Sequence, residues 1–137
     1  DIPIDTTEVE RTLRFPAASL AEWTAIFQNI LVNSVNAMLD CPERSIRIWT
    51  RRTPTRVRLF IEDSGVGVEP TDSEVLFQPF ERRLELSPER RNLGLGGTGI
   101  GLTIVRMIGE KIGCNVRFVD PSVGFTACVE VSWSIEE

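Results

Sequence analysis

The chain has 137 residues, 42% of them hydrophobic and 26% charged, and a formal net charge of -5. That length supports one domain spanning 1–137 with a real core, and the acidic balance argues against a nucleic-acid partner, which needs a basic face. No stretch approaches the ~18 consecutive apolar residues of a membrane span, so no direct membrane insertion is expected, and the acidic start DIPIDTTEVE has no secretory apolar run.

Taken in chain order, residues 1–8 are polar and are expected to fray. VERTLRF at 9–15 alternates apolar and charged residues and predicts an edge strand closed by Pro16. S-L-A-E at 19–22 is a capping box, so a helix should start after Ser19. Leu20, Trp23, Phe27, Ile30, Leu31, Val35 and Met38 continue it at helical spacing to about Asp40. Two strands follow, with Ile46 and Ile48 on one face of the first and Val57, Leu59 and Ile61 on one face of the second. RTPT at 52–55 makes them a hairpin. Residues 81–98 hold arginines, glutamates and glycines without periodicity, the pattern of a functional or disordered stretch, often a lid. A second helix is predicted from about Thr98 to Ile112, stopping at Gly113, then strands near 115–119 and 124–133 around the turn DPSVG. Paired strands with separate helices predict an α+β fold, a two-layer sandwich.

Histidine, lysine and cysteine usage narrows the chemistry. The chain has no histidine, the commonest general base and metal ligand. Its single lysine, Lys111, follows Glu110 and not a glycine, which excludes a P-loop. Its cysteines, Cys41, Cys114 and Cys128, are odd in number, lie in or beside apolar segments and read as small core residues of a reducing, cytoplasmic compartment. The missing initiator methionine reads as a piece of a longer protein.

Three constellations remain. Asn29, Asn33 and Asn36 sit at i, i+4 and i+7 on one helix stripe; three mediocre helix formers in two turns suit a binding role, although solvated surface polars would look the same. DSGVG at 63–67 follows the strand VRLFIE and fits a sharp turn where backbone approaches a ligand; an ordinary Asp-Ser-Gly turn is the plain alternative. GLGGTGIGL at 94–102 runs into a helix, freeing backbone N–H groups at a positive helix end to receive an anion. Gly94, Gly96 and Gly99 also satisfy G-x-G-x-x-G, but the dinucleotide fingerprint follows directly on a strand, and here an arginine-rich loop precedes it.

In this order and spacing the motifs resemble the histidine kinase catalytic domain, a Bergerat ATP-binding fold whose superfamily includes gyrase B, the MutL repair protein and the heat-shock chaperone ATPases. The N box is NILVNSVNA at 29–37, the first glycine box DSGVG at 63–67, the F box FQPF at 77–80 and the second glycine box GGTGIGL at 96–102, and the likeness covers about residues 20–131. The resemblance implies a mixed, mostly antiparallel sheet covered by helices on one face. It implies ATP and Mg²⁺ as cofactors. Asn33 would hold the metal, Asp63 would accept a hydrogen bond from the adenine amino group and so favour ATP over GTP, Gly65 and Gly67 would flank the base, and Val68 would pack on it. Gly97, Thr98, Gly99 and Gly101 would line the phosphates, with Ile100 and Leu102 in the same box. Thr126 is similar to a family threonine near the adenine, although Phe125, one residue earlier, sits where that threonine is often found. Residues 81–98 would be the ATP lid, its Arg82, Arg83, Arg90 and Arg91 either clamping phosphates or simply solvated.

Two positions depart from the pattern. Asn36 replaces a lysine common in the family. Asn29 stands where hydrolytic members carry a glutamate, and an amide is no general base. With Asn29 and Asn33 as the catalytic pair, the expected reaction is phosphoryl transfer to a positioned acceptor and not hydrolysis. The acceptor would be a histidine on a dimerisation domain outside this chain, with a response regulator as the indirect partner. An anti-sigma-factor serine kinase or an ATP-driven clamp is the alternative within the superfamily.

Overall fold

The computed structural model describes residues 1–69, 71–78 and 101–135. Among the described residues, five strands form one sheet: β1 (Ile4–Glu8), β2 (Ile46–Arg52), β3 (Arg56–Asp63), β4 (Cys114–Val119) and β5 (Ala127–Ser134), in the order β1-β2-β3-β5-β4. Only the β1–β2 pair is parallel; the other three are antiparallel. Two described helices, α1 (Leu20–Ala37) and α2 (Gly101–Ile112), lie against one face, and a 3-10 turn (Val75–Phe77) abuts α2. This is the α+β two-layer arrangement that the strand and helix order predicts. Neither described helix is long and apolar enough to cross a membrane.

α1 starts where the capping box places it. The Ser19 hydroxyl accepts from the Glu22 amide at 3.1 Å, and the Glu22 carboxylate accepts from the Ser19 amide at 3.0 Å. The same carboxylate meets Lys111 Nζ of α2 at 2.9 Å, which ties the start of one helix to the end of the other. These partners, led by the Ser19 amide, lower the Glu22 pKa from 4.5 to about 2. Ile26, Ile30, Ser34 and Ala37 form the buried stripe of α1. Ile26, Ile30 and Ala37 meet Val57, Leu59 and Ile61 of β3 and Val129, Val131 and Trp133 of β5 in one core. Trp133, 2% exposed, anchors an aromatic cluster with Phe15 and Trp23, and its indole N–H donates to the Arg14 carbonyl at 3.0 Å. Gly113 ends α2 with φ +85, a conformation that disfavours any side chain. Cys114 and Cys128 are buried and Cys41 is half-buried, all three as free thiols; burial pushes Cys114 up to about 11.

The N-terminal expectations need correction. The edge strand is not at 9–15 but at Ile4–Glu8, within the segment expected to fray. Every residue of β1 is exposed, so no burial pattern marks it. It is held by main-chain pairing to β2, by the Ile46 amide donating to the Pro3 carbonyl, and by Glu8 with Arg47 at 2.6 Å. The alternation of 9–15 serves a turn instead: the Val9 amide donates to Thr6 O and the Leu13 amide to Glu10 O. Leu13 and Phe15 then fold over the end of the core. The last strand also begins later than expected, at Ala127, because Ser122 to Phe125 close a turn through Gly124 at φ +94.

Candidate nucleotide site

Asp63 ends β3 on its helix-facing side and is 4% exposed. Its Oδ1 accepts from the Gly65 amide at 3.0 Å. Burial raises its pKa above 3.8, opposed by that amide and by the Ser34 hydroxyl of α1. A carboxylate so placed keeps acceptor capacity for a ligand while backbone and helix fix its orientation.

The chain around it is built by close approach. The Val66 amide donates to Ala37 O at 3.0 Å, which caps the end of α1. That contact needs glycine at 65, since a Cβ there would lie 2.5 Å from Ala37 O and 2.9 Å from Ala37 Cβ. Gly67 has φ +82, and a Cβ on it would come within 3.2 Å of Thr126 O. Thr126 clasps this turn from the other side: its amide donates to Asp63 O at 2.9 Å, and its hydroxyl lies 2.7 Å from Gly65 O. Asp63, Gly65 and Gly67, with Thr126 from far along the sequence, therefore form one unit against the end of α1. Val68, half-buried, packs on the core beside them. A cavity of about 150 Å³ lies next to it, lined by Val68, Ser73, Phe118 and Thr126 among others.

The asparagine stripe divides. Asn29 Nδ2 donates to Ala25 O at 2.7 Å, and its Oδ1 faces Gly101 so closely that a Cβ there would sit 3.0 Å away. Asn29 thus packs α1 against the first described turn of α2. Asn33 and Asn36 are half-buried, and neither side chain has a hydrogen bond among the described residues. Leu102 is 2% exposed and its side chain belongs to the core, so only its backbone is offered to a ligand. Gly97, Thr98, Gly99, Ile100 and the 81–98 segment with its arginines lie outside the described residues. Among those described, no group of three or more Cys, Asp or Glu side chains is arranged to hold a metal.

Residues outside the motifs complete the frame. Arg106 of α2 stacks on Phe77 of the F box, 4.1 Å from the ring centroid. It also reaches Glu74 at 2.8 Å and donates to Val116 O at 2.8 Å. The Thr103 hydroxyl donates to Gln78 O at 2.7 Å. An arginine within the apolar periodicity of α2 was the available signal for this clasp. Ser34, the small polar residue on the buried stripe of α1, was the signal for a partner to Asp63.

The profile of the family described as histidine kinase-, DNA gyrase B-, and HSP90-like ATPase matches residues 21–135. The chain belongs to this ATPase family. Membership implies ATP binding. Sensor protein RstB of Escherichia coli (strain K12) is 28% identical over 130 residues, covering 92% of this chain and 29% of RstB. This chain therefore spans less than a third of that relative's length. Among solved structures, the mycobacterial sensor histidine kinase MprB superposes with a TM-score of 0.71 at 19% identity, covering 97% of this chain and 81% of that one. Full-length ShkA in complex with AMPPNP superposes at 0.70 with 22% identity, over 96% of this chain and 25% of that one. Within the ATPase family, these relatives are sensor histidine kinases, and the serine-kinase and clamp alternatives are not favoured.

Proposed function

We propose that this domain binds Mg·ATP and serves as the phosphoryl donor of a sensor histidine kinase, passing the γ-phosphoryl to a histidine on a dimerisation domain outside this sequence. The observation that carries the reading is the Asp63 unit: a buried carboxylate oriented by Gly65 and Ser34 and clasped by Thr126. Its free acceptor capacity suits the amino group of adenine, whereas the carbonyl of guanine would repel it. Gly65 and Gly67 let the backbone pass close to the base, and Val68 and Thr126 stand at its edge.

Magnesium, when bound, neutralises charge on the phosphates. Asn33 fits such an ion through its amide oxygen, which makes no hydrogen bond among the described residues, because Mg²⁺ takes few protein ligands and completes its shell with phosphates and water. Asn36 borders the same stripe. Asn29 places an amide, engaged with Ala25, where a water-activating carboxylate would serve hydrolysis; the site thus holds ATP for a positioned acceptor. Gly97 to Leu102 would present backbone N–H groups to the phosphates at the start of α2. The free cysteines suit a reducing, cytoplasmic setting, and a response regulator would receive the phosphoryl group from the acceptor histidine.

Calorimetry tests the base site. The parent chain should bind Mg·ATP and not Mg·GTP, and Asp63→Asn should bind ATP at least about tenfold more weakly, a loss of ~1.4 kcal/mol. Equal affinity of the variant would refute the assignment of Asp63. Labelled ATP should phosphorylate a histidine-bearing dimerisation domain added in trans, and should leave this chain unlabelled.

A further inference from the structure

The sheet face turned away from α1 and α2 carries charge and aromatic rings in place of a core. Alternation sends Arg47, Trp49 and Arg51 of β2 to the same side as Arg58, Phe60 and Glu62 of β3. Two arginines of this face meet carboxylates: Arg47 reaches Glu62 at 3.5 Å and Arg117 reaches Glu130 at 3.4 Å. Arg51, Arg56 and Arg58 meet none among the described residues. Arg51 and Arg58 are direct cross-strand partners, a like-charge pair that costs stability. The Arg58 Nε is buried without an acceptor, and Arg56 reaches only the Ser132 hydroxyl, at 2.9 Å. Beside them Trp49 stacks on Phe60 with centroids 4.1 Å apart, and the Arg51 guanidinium sits 5.3 Å from the Trp49 ring centroid. In a chain of net charge -5, positive charge is thus gathered near the β2–β3 turn.

We propose that this end of the open face docks an acidic segment of a partner protein, with Arg51, Arg56 and Arg58 receiving its carboxylates and Trp49 receiving an apolar side chain. Guanidinium forks match carboxylates in pairs, and arginine and tryptophan are the side chains that anchor interfaces. The spacing agrees: cross-strand neighbours lie ~5 Å apart and same-strand neighbours on one face ~7 Å apart, close to the ~6 Å between the Cβ atoms of residues i and i+4 on a helix. A nucleic-acid strand suits the patch less well. A phosphate chain running past the three arginines would meet Glu130 in the adjoining row and Glu8 and Glu10 beside β2. The surface lies on the opposite side of the sheet from Asp63, so it stands or falls independently of the nucleotide site.

The test is a ¹⁵N NMR titration of this chain with a helical peptide bearing glutamates at i and i+4 beside a leucine, against the same peptide with glutamines. The glutamate peptide should shift the Nε–H resonances of Arg51, Arg56 and Arg58 and the indole N–H of Trp49, and leave the amides of Asn33 and Gly65 in place. Added salt should weaken binding, and Arg51→Gln with Arg58→Gln should weaken it at least about tenfold. Should circular dichroism show that pair unfolded, Arg51→Gln alone, at an exposed position, carries the test. An equal response to the glutamine peptide, shifts centred on α1, or undiminished binding by the variant overturns the proposal. Tighter binding of single-stranded DNA than of the glutamate peptide overturns it in favour of a nucleic-acid surface.

Discussion

Gly65→Ala tests whether close approach, and not backbone dihedral, is what the first glycine box requires. Gly65 is not among the positive-φ glycines, so dihedral strain contributes nothing to the expected effect. The added methyl would lie 2.5 Å from the oxygen and 2.7 Å from the carbon of the Ala37 carbonyl, atoms of the helix backbone that cannot rotate away. Overpacking of this kind costs ~1–3 kcal/mol. The Val66 amide bond to Ala37 O and the Thr126 hydroxyl bond to Gly65 O should lengthen with it, at ~0.5–1.5 kcal/mol each when lost. The sum is about 2–6 kcal/mol, which lowers the thermal midpoint by roughly 6–24 °C at about 3–4 °C per kcal/mol for a domain of this size. Urea unfolding followed by tryptophan fluorescence measures the stability, and ATP calorimetry on the remaining folded fraction measures the site. Ala37→Gly in the same chain should restore little, because it removes the Cβ contact at 2.9 Å and leaves the carbonyl clash. A Gly65→Ala chain with an unchanged midpoint, or full rescue by Ala37→Gly, would refute the reasoning. Gly113→Ala is the counterpart: it has φ +85 and open space around it, so only dihedral strain of ~1 kcal/mol is expected.

Other outcomes follow from named contacts. Burial raises the Asp63 pKa, so its protonated form favours the fold below the ordinary 3.8, and that contribution is lost as pH rises through the raised value; ATP affinity, which uses the carboxylate, should fall as pH drops toward that value, while Asp63→Asn should show no such step. Glu22 has the opposite sign: its stabilisation is complete above 4.5 and disappears as pH falls through about 2, so Glu22→Gln should flatten the urea midpoint against pH across that window. Ser19→Ala, which removes the other half of the capping box, should cost ~1 kcal/mol at neutral pH in the same assay. Arg106→Met keeps the bulk over Phe77 but loses the Glu74 and Val116 contacts, with an expected cost of about 2 kcal/mol and weaker ATP binding; Arg106→Lys should recover part of both.

Much of the fold was readable because its signals are local. The capping box at Ser19, the apolar repeat from Leu20 and the alternation of β2 and β3 each declare an element within a few residues. β1 was not readable, since an edge strand exposed at all five positions carries no pattern, while VERTLRF carries one and is a turn. The candidate site was legible as a set of boxes and not as a set of contacts. Nothing near DSGVG announces that Ala37 must touch Gly65 or that Thr126, 61 residues later, clasps it. The stripe of asparagines suggested one shared role, yet Asn29 is engaged with its own helix and with Gly101 while Asn33 and Asn36 are not. The N-cap and the period are one-dimensional facts, whereas the orientation of an amide depends on which helix arrives beside it.

Trp133 has a consequence for the order in which the domain can form. It is among the largest fully buried side chains, it lies in β5, and its indole binds the Arg14 carbonyl 119 residues earlier. β5 is also the inner strand that joins β3 to β4, and among the described residues β4 pairs with no other strand. A nascent chain that has emerged only through Val119 therefore holds a β4 without a neighbour and an aromatic cluster without its centre. Helix α1 and the β2–β3 hairpin can form early from local contacts, but cooperative closure of this sheet waits for β5 to leave the ribosome. During that interval the apolar edge of β3 is unpaired, and this is the stage of synthesis at which the chain is most exposed to aggregation.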